Sequence, residues 1–103
     1  MTYRVIIEPT AEMEIRSAVR WITEHQSPTS AAKWYNGLLK KVATLKTHPA
    51  RCPLAAENDR FPEEIRELLY EKRRNTYRII FTIRDEVVHI LYVHHSARGE
   101  IEP

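Results

Sequence analysis

Two adjacent histidines, His94 and His95, close the segment "YRIIFTIRDEVVHILYVHHSAR", which runs from Tyr77 to Arg98 and carries Arg78 just inside its start. Histidine exchanges protons near neutral pH, and arginine grips a phosphate or carboxylate with two parallel N–H bonds. Those parts suffice for metal-free cleavage of a phosphodiester: a base for the 2′-hydroxyl, an acid for the leaving oxygen and a cation for the charge on phosphorus. Arg78, one histidine and Arg98 would converge for this on an open sheet face. A purely structural role is equally available, in which Arg78 pairs with a carboxylate such as Glu67 or Glu71 and the histidines merely finish a strand.

Other chemistries lack their parts. Consecutive residues on a strand point to opposite faces, so His94 and His95 do not readily share one metal ion. His89 and His95 share a face by alternation, but six residues at ~3.3 Å each separate them by roughly 20 Å. Cys52 and His48 have no second pair at ligand spacing, so no metal site is expected. Ser96 sits beside both histidines without a glycine-framed nucleophile turn or an orienting carboxylate. The only glycines are Gly37 and Gly99, which excludes a glycine-rich phosphate loop, and no cofactor is expected.

The elements that must hold these residues read as follows. Residues 3 to 8, "YRVIIE", form a short strand that stops at Pro9. From about Thr10, Ile15, Ala18, Val19 and Ile22 recur at helical spacing, and this first helix ends near Gln26. Ser27 is placed to cap a second helix with Pro28 in its first turn. Ala31, Tyr35, Leu38, Val42 and Leu45 mark its apolar face, and it stops before Pro49. The short link between the helices makes them an antiparallel hairpin on one side of a sheet. Trp21 and Trp34 are expected in core or edge packing. Residues 48 to 62 contain three prolines and no sustained period, and read as a surface loop.

Three strands close the chain: Ile65 to Lys72, Tyr77 to Arg84, and Val87 to His95, the last two joined by Asp85 and Glu86. Alternation puts Tyr77, Ile79, Phe81 and Ile83 on one face of their strand, and Arg78, Ile80, Thr82 and Arg84 on the other. Both faces of the last strand are apolar, so it must be central or covered by something besides the helices. The order β-α-α-β-β-β makes residues 1–103 a single α+β domain with a mainly antiparallel sheet.

Composition agrees with such a domain. Hydrophobic residues make up 43% of the chain and charged residues 29%, ordinary for a packed globule. A lone cysteine excludes an internal disulfide, the N-terminus meets acidic residues too early for a signal peptide, and no run approaches the roughly 18 apolar residues of a membrane span. A reducing cytoplasm is the expected location. Net charge is only +2, yet Lys72, Arg73, Arg74, Arg78 and Arg84 fall within 13 residues containing no carboxylate, a local patch that attracts phosphates or an acidic partner.

On these features the chain resembles the RelE/ParE superfamily, the toxic halves of bacterial type II toxin–antitoxin pairs. The resemblance rests on "IRELLYEKRRNTYRIIFTIRDEVVHILYVHHSAR", Ile65 to Arg98, supported by "VIIEPTAEMEI", "SPTSAAKWY" and "LKTHPARCP". It implies a β-α-α-β-β-β toxin domain neutralised by a cognate antitoxin, with which it forms a hetero-oligomer. Two targets follow from the two branches. RelE-like members cut messenger RNA on the ribosome, for which Arg78, His94 and His95 are the catalytic candidates. However, Leu69 and Glu71 stand where nuclease members tend to place lysines, and the tail "GEIEP" has no tyrosine. The closing "HHSAR" is closer to the ParE branch, which is associated with inhibition of DNA gyrase without hydrolysis. There Arg73, Arg74, Arg78, His95 and Arg98 are the candidates for binding target or antitoxin. A degenerate, non-toxic member is a third reading.

Overall fold

The computed structural model describes residues 2–71 and 75–103. Strand β1 (Arg4–Ile7) leads through Glu8 into helix α1 (Pro9–His25), whose Pro9 occupies the first helical position, where a missing N–H costs nothing. Its stripe of Ala11, Ile15, Ala18 and Ile22 is buried. Helix α2 (Pro28–Ala43) starts where Ser27 Oγ accepts the Ser30 N–H at 3.0 Å, a cap worth about 1 kcal/mol. Its buried face is Ala31, Trp34, Leu38 and Val42, continued by Leu45 in the following turn. Two expectations are corrected here. Tyr35 is 40% exposed and Trp34 takes the core position instead, while Trp21 is half exposed and stacks on His25 with ring centroids 4.3 Å apart. Aromatic rings at adjacent helical positions point about 100° apart, so only one of Trp34 and Tyr35 can face the sheet.

The remaining strands are β2 (Arg66–Tyr70), β3 (Tyr77–Arg84) and β4 (Val87–His95), and the sheet order is β1-β4-β3-β2. β4 pairs parallel with β1 and antiparallel with β3, so it is central. β2 runs to Tyr70, where Glu71 turns out of the strand at φ 67; the expected limit at Lys72 lies outside the described residues. The two-residue link between β3 and β4 begins with Asp85 at φ 54, a conformation that short polar side chains tolerate.

A bulge in β4 alters the expected alternation. Ile80 pairs with Tyr92 but Phe81 pairs with Ile90, leaving Leu91 as an extra residue. Val88 and Ile90 therefore face the helices, and beyond the bulge Val93 does so too, packed with Ile79 and Phe81 in the main core, while His95 takes the same side against Tyr77 at its edge. Tyr92 moves to the far face, where Ala55, Ile65, Ile80 and Ile101 form a second core with Phe61, Leu91 and Tyr92. Two apolar faces on one strand are thus explained by two separate covers, the helices on one face and, on the other, the segment expected as a surface loop together with the C-terminal tail. That segment folds through short 3-10 turns at Pro49–Arg51 and Asn58–Arg60, bridges Leu54 to Arg66, and buries Cys52, Ala55 and Glu57. The tail joins it through buried Ile101. Each isoleucine fully buried there stabilises the fold by about 1.5–3 kcal/mol.

Candidate functional site

Alternation along β3 does point Arg78 away from the helices, but the far face is not open. The loop brings Glu57 under it. Arg78 donates from Nη1 to Glu57 Oε2 at 2.7 Å and from Nη2 to Oε1 at 2.6 Å, and its Nε donates to Glu67 Oε1 on the neighbouring strand. The tail completes the cluster, as the Ile101 N–H donates to Glu57 Oε2 at 2.9 Å. Glu57 is 1% exposed and the Arg78 side chain 12%. Hydrogen bonds from Arg78 hold the Glu57 carboxyl down at about 2 against the opposing effect of burial, and the same bonds raise the arginine further above its ordinary value. Two carboxylates face one guanidinium, so the cluster is net negative and repels a phosphate. The fork that would clamp an anion is already filled.

The histidines separate. β1 pairs with β4 only from Val87 to Ile90, which leaves the N–H of Val93 facing outward at the sheet edge. Glu14 of α1 fills that vacancy, accepting the Val93 N–H on Oε1 at 2.8 Å, while its Oε2 lies 3.4 Å from His94 Nδ1. His94 is thereby tied to the edge of the sheet beside α1. His95, turned by the bulge, packs edge-on against Tyr77 at 4.9 Å and accepts the Ala97 N–H on Nδ1 at 3.1 Å, starting the 3-10 turn Ser96–Arg98. Arg98 is exposed and shares with His95 a cavity of about 270 Å³ whose other walls include Glu14, Trp21, Asn75 and Tyr77. Arg78 does not line it. The expected convergence of Arg78, a histidine and Arg98 on one open face is therefore corrected: a buried ion cluster holds the first, and the end of the sheet holds His95 with Arg98. His89, expected on the face of His95, lies across the bulge from it and meets Glu8 Oε1 at 3.0 Å. Arg73 and Arg74 lie outside the described residues.

A larger hollow, about 670 Å³, opens between the helices and the end of β2 and β3, walled by Trp21, Trp34, Tyr70 and Tyr77 with Lys33 and Lys40 beside them. Its shape depends on Gly37. A Cβ there would lie 2.2 Å from the Tyr70 hydroxyl, which donates to the Trp34 carbonyl at 2.8 Å. Trp34 is 6% exposed, and its Nε1 has no acceptor among the described residues. Neither Glu57 nor this hollow was visible in the chain's patterning. Glu57 sits in a segment without period, and the aromatic walls come from four different elements.

From residue 5 to residue 99 the sequence matches the family described as the ParE toxin of the type II toxin–antitoxin system parDE. Among solved structures, one titled "Chromosomal ParDE TA system from P. aeruginosa" superposes with a TM-score of 0.76 at 15% identity, covering 91% of this chain and 96% of that one. At that identity the likeness is one of fold. No curated protein matches the sequence.

Proposed function

The chain belongs to the ParE toxin family of type II toxin–antitoxin systems, and from that premise we propose that it acts on DNA gyrase, by binding and without hydrolysis. A cognate antitoxin is its partner and neutralises it. The observation that carries the choice of mechanism is the state of Arg78. A ribonuclease of the related branch would present this strand arginine to the scissile phosphate. Here Glu57 and Glu67 occupy its donors and the tail covers it. Stabilising a developing phosphorane charge from this position would require breaking a buried ion cluster of the opposite sign. Contact with gyrase is assigned to the helical hairpin and the C-terminal end, with Arg98 and His95 as the binding candidates of the described region. No helix among the described residues is long and apolar enough to cross a membrane, and action in the cytoplasm is part of the proposal.

The test is induction of the chain in cells without antitoxin, read by two assays together. The proposal expects filamentous cells, DNA breaks and inhibition of supercoiling by purified gyrase, with messenger RNA intact. Cleavage of ribosome-bound message within minutes would establish the nuclease reading instead, and harmless high expression would establish a degenerate member.

A further inference from the structure

The basic patch expected between Lys72 and Arg84 supplies little open charge among the described residues, because Arg78 is buried against Glu57 and Glu67, and Arg84 pairs with Glu63 at 2.8 Å. The uncompensated charge lies elsewhere. From His25 to Ala56 the chain carries Lys33, Lys40, Lys41, Lys46 and Arg51, five of its 16 basic residues, and none of its 14 carboxylates. That segment, mainly α2 and the turns after it, has a formal charge of +5 and the rest of the chain −3, so a nearly neutral protein is electrically lopsided. Lys33 and Lys40, two helical turns apart with Asn36 between them, are exposed and border the larger hollow, where Glu71 is the one carboxylate among the described lining residues. Lys41 follows, partly buried, one position round the helix. Burial raises the Cys52 thiol, and the charges of Arg51, Arg66 and Lys41 oppose that rise, so these three stand around one point at the end of α2. Arg66 is paired with Glu64, but Arg51 meets only carbonyls and a hydroxyl: its Nη1 donates to Thr47 O at 2.8 Å and His48 O at 3.1 Å, which fixes the guanidinium and leaves its charge uncompensated. None of Lys33, Lys40, Lys41 and Arg51 has an ion pair among the described residues.

We infer that the stripe of Lys33, Lys40, Lys41 and Arg51 seats the phosphate backbone of duplex DNA. The inference goes beyond the gyrase reading, because it gives the chain a direct contact with DNA that needs no enzyme between them. Four cations against the single Glu71 leave the stripe net positive, and charge of one sign matches a polyanion better than a protein, whose interfaces put apolar side chains at their centre. The exposed aromatic side chain of α2, Tyr35, leaves on the other side of the helix, where it lines a groove with Ile15 and Val19 of α1. Lys33 to Lys40 spans about 10 Å of helix, which lies along about three phosphates of one strand at 3.4 Å of axial rise each. Ser30 and Asn36 add neutral donors of the kind that position a backbone without reading its sequence. Single-stranded nucleic acid fits less well, since stacking needs open ring faces, whereas Trp34 is buried and His25 covers one face of Trp21.

The experiment titrates the purified chain into a fluorescent duplex of about 20 base pairs, without gyrase, and follows anisotropy between about 50 and 200 mM salt. Wild type should bind with a Kd of about 10⁻⁶–10⁻⁴ M, whatever the sequence, and the logarithm of its affinity should fall against the logarithm of salt with a slope of about −3 to −4, as four phosphate contacts require. Lys33→Gln with Lys40→Gln should reduce that slope by about 2 and weaken binding about tenfold or more. Arg4→Gln with Arg20→Gln removes the same charge from exposed positions on β1 and α1, and should change affinity by no more than about twofold. All four side chains are exposed, so both variants should melt within a few degrees of wild type. Absence of saturable binding by wild type at low salt would overturn the inference, as would an equal loss in the two variants, which would make the effect one of net charge alone. Tighter binding of dT20 than of the duplex would overturn it in favour of single strands. Unchanged duplex affinity in Lys33→Gln with Lys40→Gln, with weaker binding of the antitoxin, would overturn it in favour of an acidic protein. Supercoiling assays with gyrase test the other reading separately, and it survives each of these failures.

Discussion

Replacing Arg78 with methionine keeps most of the side chain's volume and removes its charge. Glu57, 1% exposed, is then left as a buried carboxylate with no cation and only backbone N–H partners, Ile101 among them, and Glu67 loses its Nε donor. Breaking a buried pair in this way costs about 3–5 kcal/mol, whereas an exposed ion pair is worth about 1 kcal/mol or less. The carboxyl itself gives a second figure: a fall from 4.5 to about 2 corresponds to about 3 kcal/mol of linkage. Both are a large share of the roughly 5–15 kcal/mol that stabilises a domain of this size, so the melting temperature should drop by about 10 °C or more. The sign with pH is determined. Because Glu57 titrates lower when folded, its contribution is complete above pH 4.5 and is lost as pH falls toward 2. The gap between wild type and Arg78→Met should therefore close over that interval. Urea unfolding followed by tryptophan fluorescence measures both effects. Adding Glu57→Gln to Arg78→Met should recover much of the loss, since the amide still accepts the Ile101 N–H and no buried charge remains unpaired there. A loss below about 1 kcal/mol at pH 7 in the single variant would refute the buried cluster.

Two further outcomes are expected. Gly37→Ala should destabilise despite the better helix propensity of alanine, because its Cβ displaces the Tyr70 hydroxyl from the Trp34 carbonyl. In a Tyr70→Phe background the same change should cost less or stabilise by up to about 1 kcal/mol, and thermal melts of the four proteins decide it. Truncation after Gly99 removes Ile101 from the second core together with the Arg60–Glu100 pair and the N–H on Glu57, and should cost at least about 2 kcal/mol by urea titration.

The sequence by itself determined the elements and their order. Ile15, Ala18 and Ile22 recur with the period of a helix, Ser27 and Pro28 punctuate the hairpin, and Tyr77 to Arg84 alternates as a strand must; each signal lies within a few residues of chain. It also implied that β4 needs cover on both sides. Only the tertiary structure decided what that cover is and what it does to the site. Leu91 becomes a bulge through its pairing with β3, and an extra residue cannot be recognised by counting along one strand, so the side on which His95 faces was hidden. Arg78 meets Glu57 from 21 residues away, and Glu57 in turn accepts the Ile101 N–H from the C-terminal tail, through a segment with no period of its own. Whether an arginine on a strand clamps a ligand or closes a core depends on which carboxylate arrives opposite it. That is set by the path of the loop between α2 and β2, where burial of Ala55 and Ile65 fixes the position of Glu57 between them.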